Sequence, residues 1–461
     1  MAEAKKASVT AFVPEEETKL QGSLGLMSLV LLGVAYMGPM CIYIYYGIMT
    51  PMTNGMYSLT ILITAIVMTL TALSYAKMSK AIPAAGSVYT YVGKSINPHL
   101  GFVAGWAIIA DYLLLPMICF LSFGLYINAL IPAVPIWVWI LLGIIIVTLL
   151  NYRGISLVAY VNTVITIIPI IFVIIAFIFI IAYIAGGGGV GTFLDNTAFY
   201  NPELFVTSSI VAAAAIMCCG FVGFDAISTM SEEAKHPQRD IPRAIVLTCV
   251  VMGAIYVVMA YVMQLAWPTA YLEIKDPNTG ILEMFVYIGK PFLSTAFSII
   301  NILTSLAACL AGEAAVARIF YGMGRDGFLP KRFFGYLHPK YHTPIWNVLL
   351  ASVVGLAAIF FSNNLAGAAS LISFGALLGF AFVNISVIVH YYVKGKKRSA
   401  GNLIAYLIIP AISAACCIYL LFGLETQAKT LGALWLLVGI IYLAIKTKGF
   451  RQYPEELHMD V

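Results

Sequence analysis

Apolar stretches of about twenty residues follow one another along the whole chain, separated by short polar connections. Each is long enough to cross a bilayer as a helix. Twelve such stretches are expected, at about 24–50, 55–76, 99–131, 134–151, 155–184, 204–231, 242–267, 285–320, 344–362, 367–393, 401–423 and 429–446. Two carry a Gly/Pro interruption in mid-run: Tyr36-Met37-Gly38-Pro39 in the first, and Cys219-Gly220-Phe221-Val222-Gly223-Phe224-Asp225 in the sixth. Pro removes a backbone donor and Gly weakens a helix, so each stretch is expected to unwind near the bilayer centre. Lipid cannot satisfy the freed N–H and C=O groups, so such breaks belong beside a protein-walled cavity. Breaks at matching positions in two halves point to the binding site of an inverted-repeat transporter. The competing reading is a pair of kinks in packed helices.

Composition narrows the class. Of 461 residues, 62% are hydrophobic and only 10% charged, far from the balance of soluble domains. Lys and Arg gather on alternate connections (Lys77, Lys80 and Lys94; Arg153; Lys235, Arg239 and Arg243; Arg325, Lys331, Arg332 and Lys340; Lys394, Lys396, Lys397 and Arg398) and on both tails. By the positive-inside bias both termini are therefore expected in the cytoplasm. The net charge of +5 is this asymmetry facing anionic lipid, with no nucleic-acid footprint. All eight cysteines fall within apolar runs, so neither a disulfide framework nor a metal site is expected, and no cofactor. The polar start of the chain does not read as a cleavable signal peptide.

The expected organisation is a cytoplasmic tail over 1–22 and a first five-helix repeat over 23–184. A second, inverted repeat follows over 204–393, then two further helices over 401–446 and a tail over 447–461. The Gly-rich connection 186–201 joins the repeats, and the last two helices are packing or homodimer elements. Two polar connections, 74–99 and 318–343, are richer than a loop requires; gating elements and plain solvated loops both fit them.

Three acids lie inside apolar runs without a basic residue at comparable depth: Asp111, Asp225 and Glu313. A charge there costs a few kcal/mol, so each needs a partner or a task. A cationic ligand, a coupling cation or protonation would each suit them. Asp225 opens the second half of a broken helix, where capping of free N–H groups competes with a share in substrate or proton binding. Asp111 sits about fourteen residues into its helix, ~21 Å from the start at 1.5 Å per residue, and either contacts ligand or bonds a neighbouring helix. Glu313 lies nearer the cytoplasmic end, where a vestibule or gate is expected. Tyr36, Tyr43, Tyr45, Tyr46, Tyr112, Phe221 and Phe224 are the aromatic candidates for a cage around an amine, with most weight on Tyr36, Phe221 and Phe224 on or beside the breaks and ordinary bilayer packing as the alternative.

The motifs Pro83-Ala84-Ala85-Gly86-Ser87-Val88-Tyr89, Gly223-Phe224-Asp225, Glu232-Glu233 and Ile241-Pro242-Arg243 resemble those of the amino acid–polyamine–organocation superfamily. Lys94-Ser95-Ile96-Asn97-Pro98-His99, Asp111-Tyr112-Leu113-Leu114-Leu115-Pro116 and Tyr336-Leu337-His338-Pro339-Lys340 resemble its bacterial putrescine-importer branch. The resemblance implies a LeuT-type fold of five plus five inverted helices with two appended, twelve in all, helices one and six broken. It implies alternating access and a substrate site between helices one, three, six and eight. The site residues expected are Tyr36, Met37, Gly38, Asp111, Tyr112, Cys219, Gly220, Phe221, Phe224 and Asp225, with Asp225, Asp111 and Glu313 as proton-coupling or gating groups; of these acids the resemblance itself implies a share in substrate or proton sensing for Asp225.

Two departures bear on the substrate. Cys219 stands where several amine transporters carry a large aromatic, and Ile44 stands where putrescine importers carry an acid. Against that, the first break is bulkier than a carboxylate cradle and one amide short at Pro39, which favours an amine lacking a carboxylate. The expected function is import of putrescine or a related organic amine across a bacterial inner membrane. Proton coupling is preferred; sodium held by break carbonyls with Thr304 or Ser305 is the alternative, since the fifth helix offers no Lys in its place. An amino-acid permease or amine/amino-acid exchanger is the runner-up. No HExxH, GxSxG or paired intramembrane histidine supports an enzyme.

Overall fold

The computed structural model of the protein describes residues 24–83, 87–153, 156–325, 329–339, 341 and 343–451. The expected tail 1–22, the centre of the Pro83–Tyr89 motif (84–86), residues 326–328, Lys340 and 452–461 lie outside the described residues.

Among the described residues twelve apolar helices, some of them interrupted, follow in order. Helix α1 has two parts, Leu26–Met37 and Cys41–Ile44, continuing as Tyr46–Met52. Then come α2 (Tyr57–Ala81), α3 (Pro98–Leu130), α4 (Ile136–Arg153) and α5 (Ser156–Ala185). Helix α6 begins as Thr207–Met217, tightens over Cys218–Phe221 and resumes as Asp225–Glu232. The remainder are α7 (Pro237–Ala266), α8 (Pro291–Arg325), α9 (Ile345–Gly355), α10 (Leu365–Val387), α11 (Ala400–Gly423) and α12 (Thr426–Lys446). Among the described residues ten spans are long and apolar enough to cross a bilayer, and α4 and α9 are shorter apolar helices.

Several helices outrun their apolar stretches at the basic end: α2 continues to Ala81 and α7 starts at Pro237. Polar turns emerging from hydrocarbon keep their backbone bonds in water, so hydropathy marks the bilayer rather than the helix end. The stretch expected over 285–320 divides. A short helix, Gly280–Tyr287, ends at a turn through Gly289 (φ +72°), and Pro291 opens α8. Pro at a first helical position loses only a donor that would be unpaired anyway. Pro98 does the same in α3, where the Asn97 side chain accepts from the His99 amide at 2.8 Å.

Packing follows an order of five. Helix α2 lies along α7 and α3 along α8, while α1 and α6 meet at their breaks. Helix α4 likewise lies against α9, so four of the first five helices meet their counterparts in the second five, as expected of a two-fold axis between repeats. This is the LeuT-type arrangement. Helices α11 and α12 are appended: α11 packs on α10, α2 and α6, and α12 on α3 and α10. A reciprocal clamp fixes α12. Trp106 Nε1 donates to the Trp435 carbonyl at 2.9 Å, and Trp435 Nε1 donates to the Trp106 carbonyl at 2.8 Å. Their rings stack at 4.8 Å, and Phe102 and Tyr442 extend the stack.

Candidate functional site

Both breaks fall where Gly and Pro place them. Helix α1 ends at Met37, and Gly38 turns out of it at φ +69°, a conformation that L side chains disfavour. Its amide still bonds the Val34 carbonyl at 3.2 Å, and Pro39 has no amide to offer. In α6, Gly223 takes φ +128°, and a methyl group there would stand 2.9 Å from the Met37 nitrogen and the Tyr36 carbonyl carbon. Only glycine lets the two unwound strands touch.

The carbonyls freed by unwinding converge on one side chain. The Tyr256 hydroxyl of α7 lies 3.0 Å from the Met37 carbonyl oxygen, 2.9 Å from that of Gly38 and 3.3 Å from that of Gly220. One donor thus serves both breaks. Tyr57 of α2 adds a bond to the Ile42 carbonyl at 2.8 Å, just beyond the first break. Sequence reasoning missed Tyr256, a hydroxyl inside an otherwise apolar run with no local pattern to single it out.

Asp225 is buried and turns back on the break: its carboxylate accepts from the Gly223 amide at 3.0 Å, with the amides of Asp225 and Ala226 also directed at it. Capping and a ligand role are compatible in this geometry, because a carboxylate has lone pairs to spare. Asp111 of α3 is buried within electrostatic reach of Asp225 and of Cys219. Tyr112 adjoins both acids and Tyr36. Tyr36 is half exposed and shares its surroundings with Glu233 and Arg318, so this space opens toward the basic end of the bundle. Among the described residues the one ion pair is Arg239 with Asp240, at 3.3 Å, so neither Asp111 nor Asp225 is neutralised by a cation.

The other candidates fall as follows. Cys219 is partly exposed beside the acids, 3.5 Å from the Tyr45 hydroxyl. Met37 and Gly220 are buried, and their carbonyls serve the site through Tyr256. Phe221 packs edge-on against Tyr256 (5.5 Å), and Phe224 packs against Tyr75 (5.6 Å) and Phe380 (5.3 Å); both rings are fully buried. Glu313 stands apart, bonded to Asn151 of α4 and Ser352 of α9. Thr304 donates back to the Ile300 carbonyl at 2.9 Å, and Ser305 is buried on the same helix.

At the opposite end a cavity of about 770 Å³ is lined by Trp267, Glu273, Lys275, Glu283, Tyr287 and Ser298, among others. Glu273 accepts from Trp267 Nε1 at 2.9 Å, and hydrogen bonds from Thr269 and Trp267 hold its carboxyl below the usual carboxylate range. Glu283 accepts from the amides of Lys275 and Asp276.

Known proteins match this chain across its length. The amino acid permease family covers residues 28–456. The low-affinity putrescine importer PlaP of Escherichia coli (strain K12) is 38% identical over 444 residues, 96% of this chain and 97% of the relative. A methylthioribose transporter of Bacillus subtilis (strain 168) is 26% identical over 96% of this chain and 97% of its own length. The branched-chain amino acid permease BcaP of the same organism is 24% identical over 92% and 93%. These relatives are transporters rather than enzymes, and their likeness extends over the spans that build the paired breaks. The chain belongs to the amino acid permease family of multi-pass membrane transporters.

Proposed function

We propose that the protein imports putrescine or a related organic amine across the cytoplasmic membrane by alternating access, coupled to protons. The observation that carries this reading is the pair Asp111 and Asp225, both buried, within electrostatic reach of each other and without a cationic partner among the described residues. Two carboxylates in low dielectric repel each other and attract an ammonium strongly. A diamine supplies two positive ends to match them, and Tyr36 and Tyr112 offer aromatic faces beside the acids.

The break amides support an amine over an amino acid. Gly38 N–H is bonded within α1, Pro39 has none, and Gly223 N–H is engaged by Asp225. A substrate carboxylate would find these donors taken and two acids nearby. The PlaP relative imports putrescine, which agrees with this reading. An amino-acid substrate or amine/amino-acid exchange is the second reading, favoured by the BcaP relative and by Ile44 in place of an acid.

On this reading the basic loops and both termini face the cytoplasm, and the acidic cavity around Glu273 and Glu283 faces outward as a vestibule that concentrates cations. The appended α11 and α12 leave an apolar outer face for lipid or a second copy. Thermal stabilisation of the purified protein tests the substrate class directly. Putrescine and cadaverine are expected to raise the unfolding temperature in a saturable way, while leucine and arginine leave it unchanged. Stabilisation by an α-amino acid and not by its decarboxylated analogue would favour the permease reading.

A further inference from the structure

Glu313 lies outside the paired breaks, in the second half of α8, and is fully buried. From α4, Asn151 Nδ2 donates to its Oε2 at 3.1 Å and to the Leu310 carbonyl at 3.3 Å. From α9, the Ser352 hydroxyl stands 3.1 Å from Oε1. That hydroxyl is also 2.7 Å from the Thr148 hydroxyl, and Thr148 lies 2.6 Å from the Ile144 carbonyl. From α3, Pro116 packs against Gly312, and Cys119 approaches Cys309. The titratable neighbours are thus the Cys309 and Cys119 thiols. The next cation along α8 is Arg318, which is exposed, and no ion pair reaches Glu313 among the described residues.

Proton counting makes the cluster informative. A hydroxyl donates one hydrogen bond. Thr148 and Ser352 supply two protons between them, yet their oxygens make four close contacts: with Ile144, with each other, with Glu313 and with the Val348 carbonyl. A proton on Glu313 supplies a third, and only the contact to the Val348 carbonyl, which lies within the helix Ile345–Gly355 that also carries Ser352, is then left without one. Glu313 then donates to Ser352, Ser352 to Thr148, and Thr148 to Ile144, each hydroxyl donating once and accepting once. A bare carboxylate at this depth, with two neutral partners and no cation, costs several kcal/mol.

We propose that Glu313 is a proton-binding site at the junction of α4, α8 and α9, separate from the amine site. It is protonated in this conformation and releases its proton to water at the basic end when α4 and α9 part from α8. In that step the carboxyl O–H bond breaks and the negative charge left behind is hydrated. This inference rests on the proton-coupled reading of the function.

The test uses the full-length protein. Infrared spectra in H₂O and D₂O are expected to show a buried carboxylic-acid carbonyl band that Glu313→Gln removes and Ser352→Ala shifts. In proteoliposomes Glu313→Gln, an isostere of the neutral acid, is expected to lower pH-gradient-driven putrescine accumulation about tenfold while binding of putrescine stays within about twofold. A band untouched by Glu313→Gln, or accumulation equal to wild type, overturns the proposal. If Glu313→Gln does not fold, the Ser352→Ala shift decides: an unshifted band overturns it equally. If wild type ignores the gradient while the band responds to both substitutions, the proton-coupled reading fails, and with it Glu313's part in transport, whereas its protonation stands.

Discussion

The hydroxyl of Tyr256 lies 2.9 Å from the carbonyl oxygen of Gly38, and the same hydroxyl reaches the Gly220 carbonyl in the second break. A single side chain of α7 therefore ties together two helices that a transport cycle must move. Unwound carbonyls in lipid cost several kcal/mol each if left bare. Tyr256 has one proton to share among these carbonyls, and their convergence on it fixes the spacing of the two breaks.

Tyr256→Phe retains the edge-on contact with Phe221 but removes this donor. A loss of about 1–3 kcal/mol in stability is expected from the acceptors left without it, with transport reduced more than surface expression. Thermal unfolding and uptake on the same preparation check both. Unchanged uptake would mean that the breaks hold their spacing without the hydroxyl.

Gly223→Ala introduces a methyl group at φ +128° within 2.9 Å of the α1 backbone. Strain and overlap together are expected to cost about 1–3 kcal/mol and to abolish uptake by forcing α1 and α6 apart. Gly25→Ala, in open space, serves as the control with wild-type uptake.

Much of this site was legible in the sequence. Gly38-Pro39 and Gly223 announce breaks because backbone preference is local, and Asp111 and Asp225 stand out because charge is rare in apolar runs. Helix ends were less legible, since α2 and α7 continue past the hydrocarbon. The aromatic partners of Phe221 and Phe224 and the convergence on Tyr256 were not legible at all. Both depend on which face of a helix meets which neighbour, and a run apolar on every side carries no such signal. Glu313 was visible as an acid, but Asn151 and Ser352 lie 162 and 39 residues away.

Asp225→Asn can still accept from the Gly223 amide while losing its charge, so the fold is expected to survive and uptake to disappear. Normal uptake would reduce Asp225 to a cap. Asp111→Asn is expected to raise the KM for diamines about tenfold, some 1.4 kcal/mol, and that for monoamines by less than about twofold. Equal losses would make Asp111 structural.

The hydrogen bonds from Thr269 and Trp267 keep Glu273 ionised to lower pH than an ordinary glutamate, so the vestibule stays negative through the mildly acidic range. Glu273→Gln is expected to raise the KM about two- to fivefold at low ionic strength and to have no effect at high salt, where steering is screened. A salt-independent change would place Glu273 in a direct contact instead.

Trp435→Phe keeps the stack on Trp106 and deletes one of the two indole bonds. A destabilisation of about 1 kcal/mol is expected, with uptake unchanged because α12 lies outside the paired breaks. Loss of uptake would show that α12 takes part in the cycle.

The most direct measurement is uptake of labelled putrescine into proteoliposomes under an imposed pH gradient, with diamines, monoamines and amino acids as competitors. Saturable, gradient-driven uptake that cadaverine blocks and amino acids do not is the expected result. Absence of putrescine uptake, with an amino acid carried in its place, would contradict it.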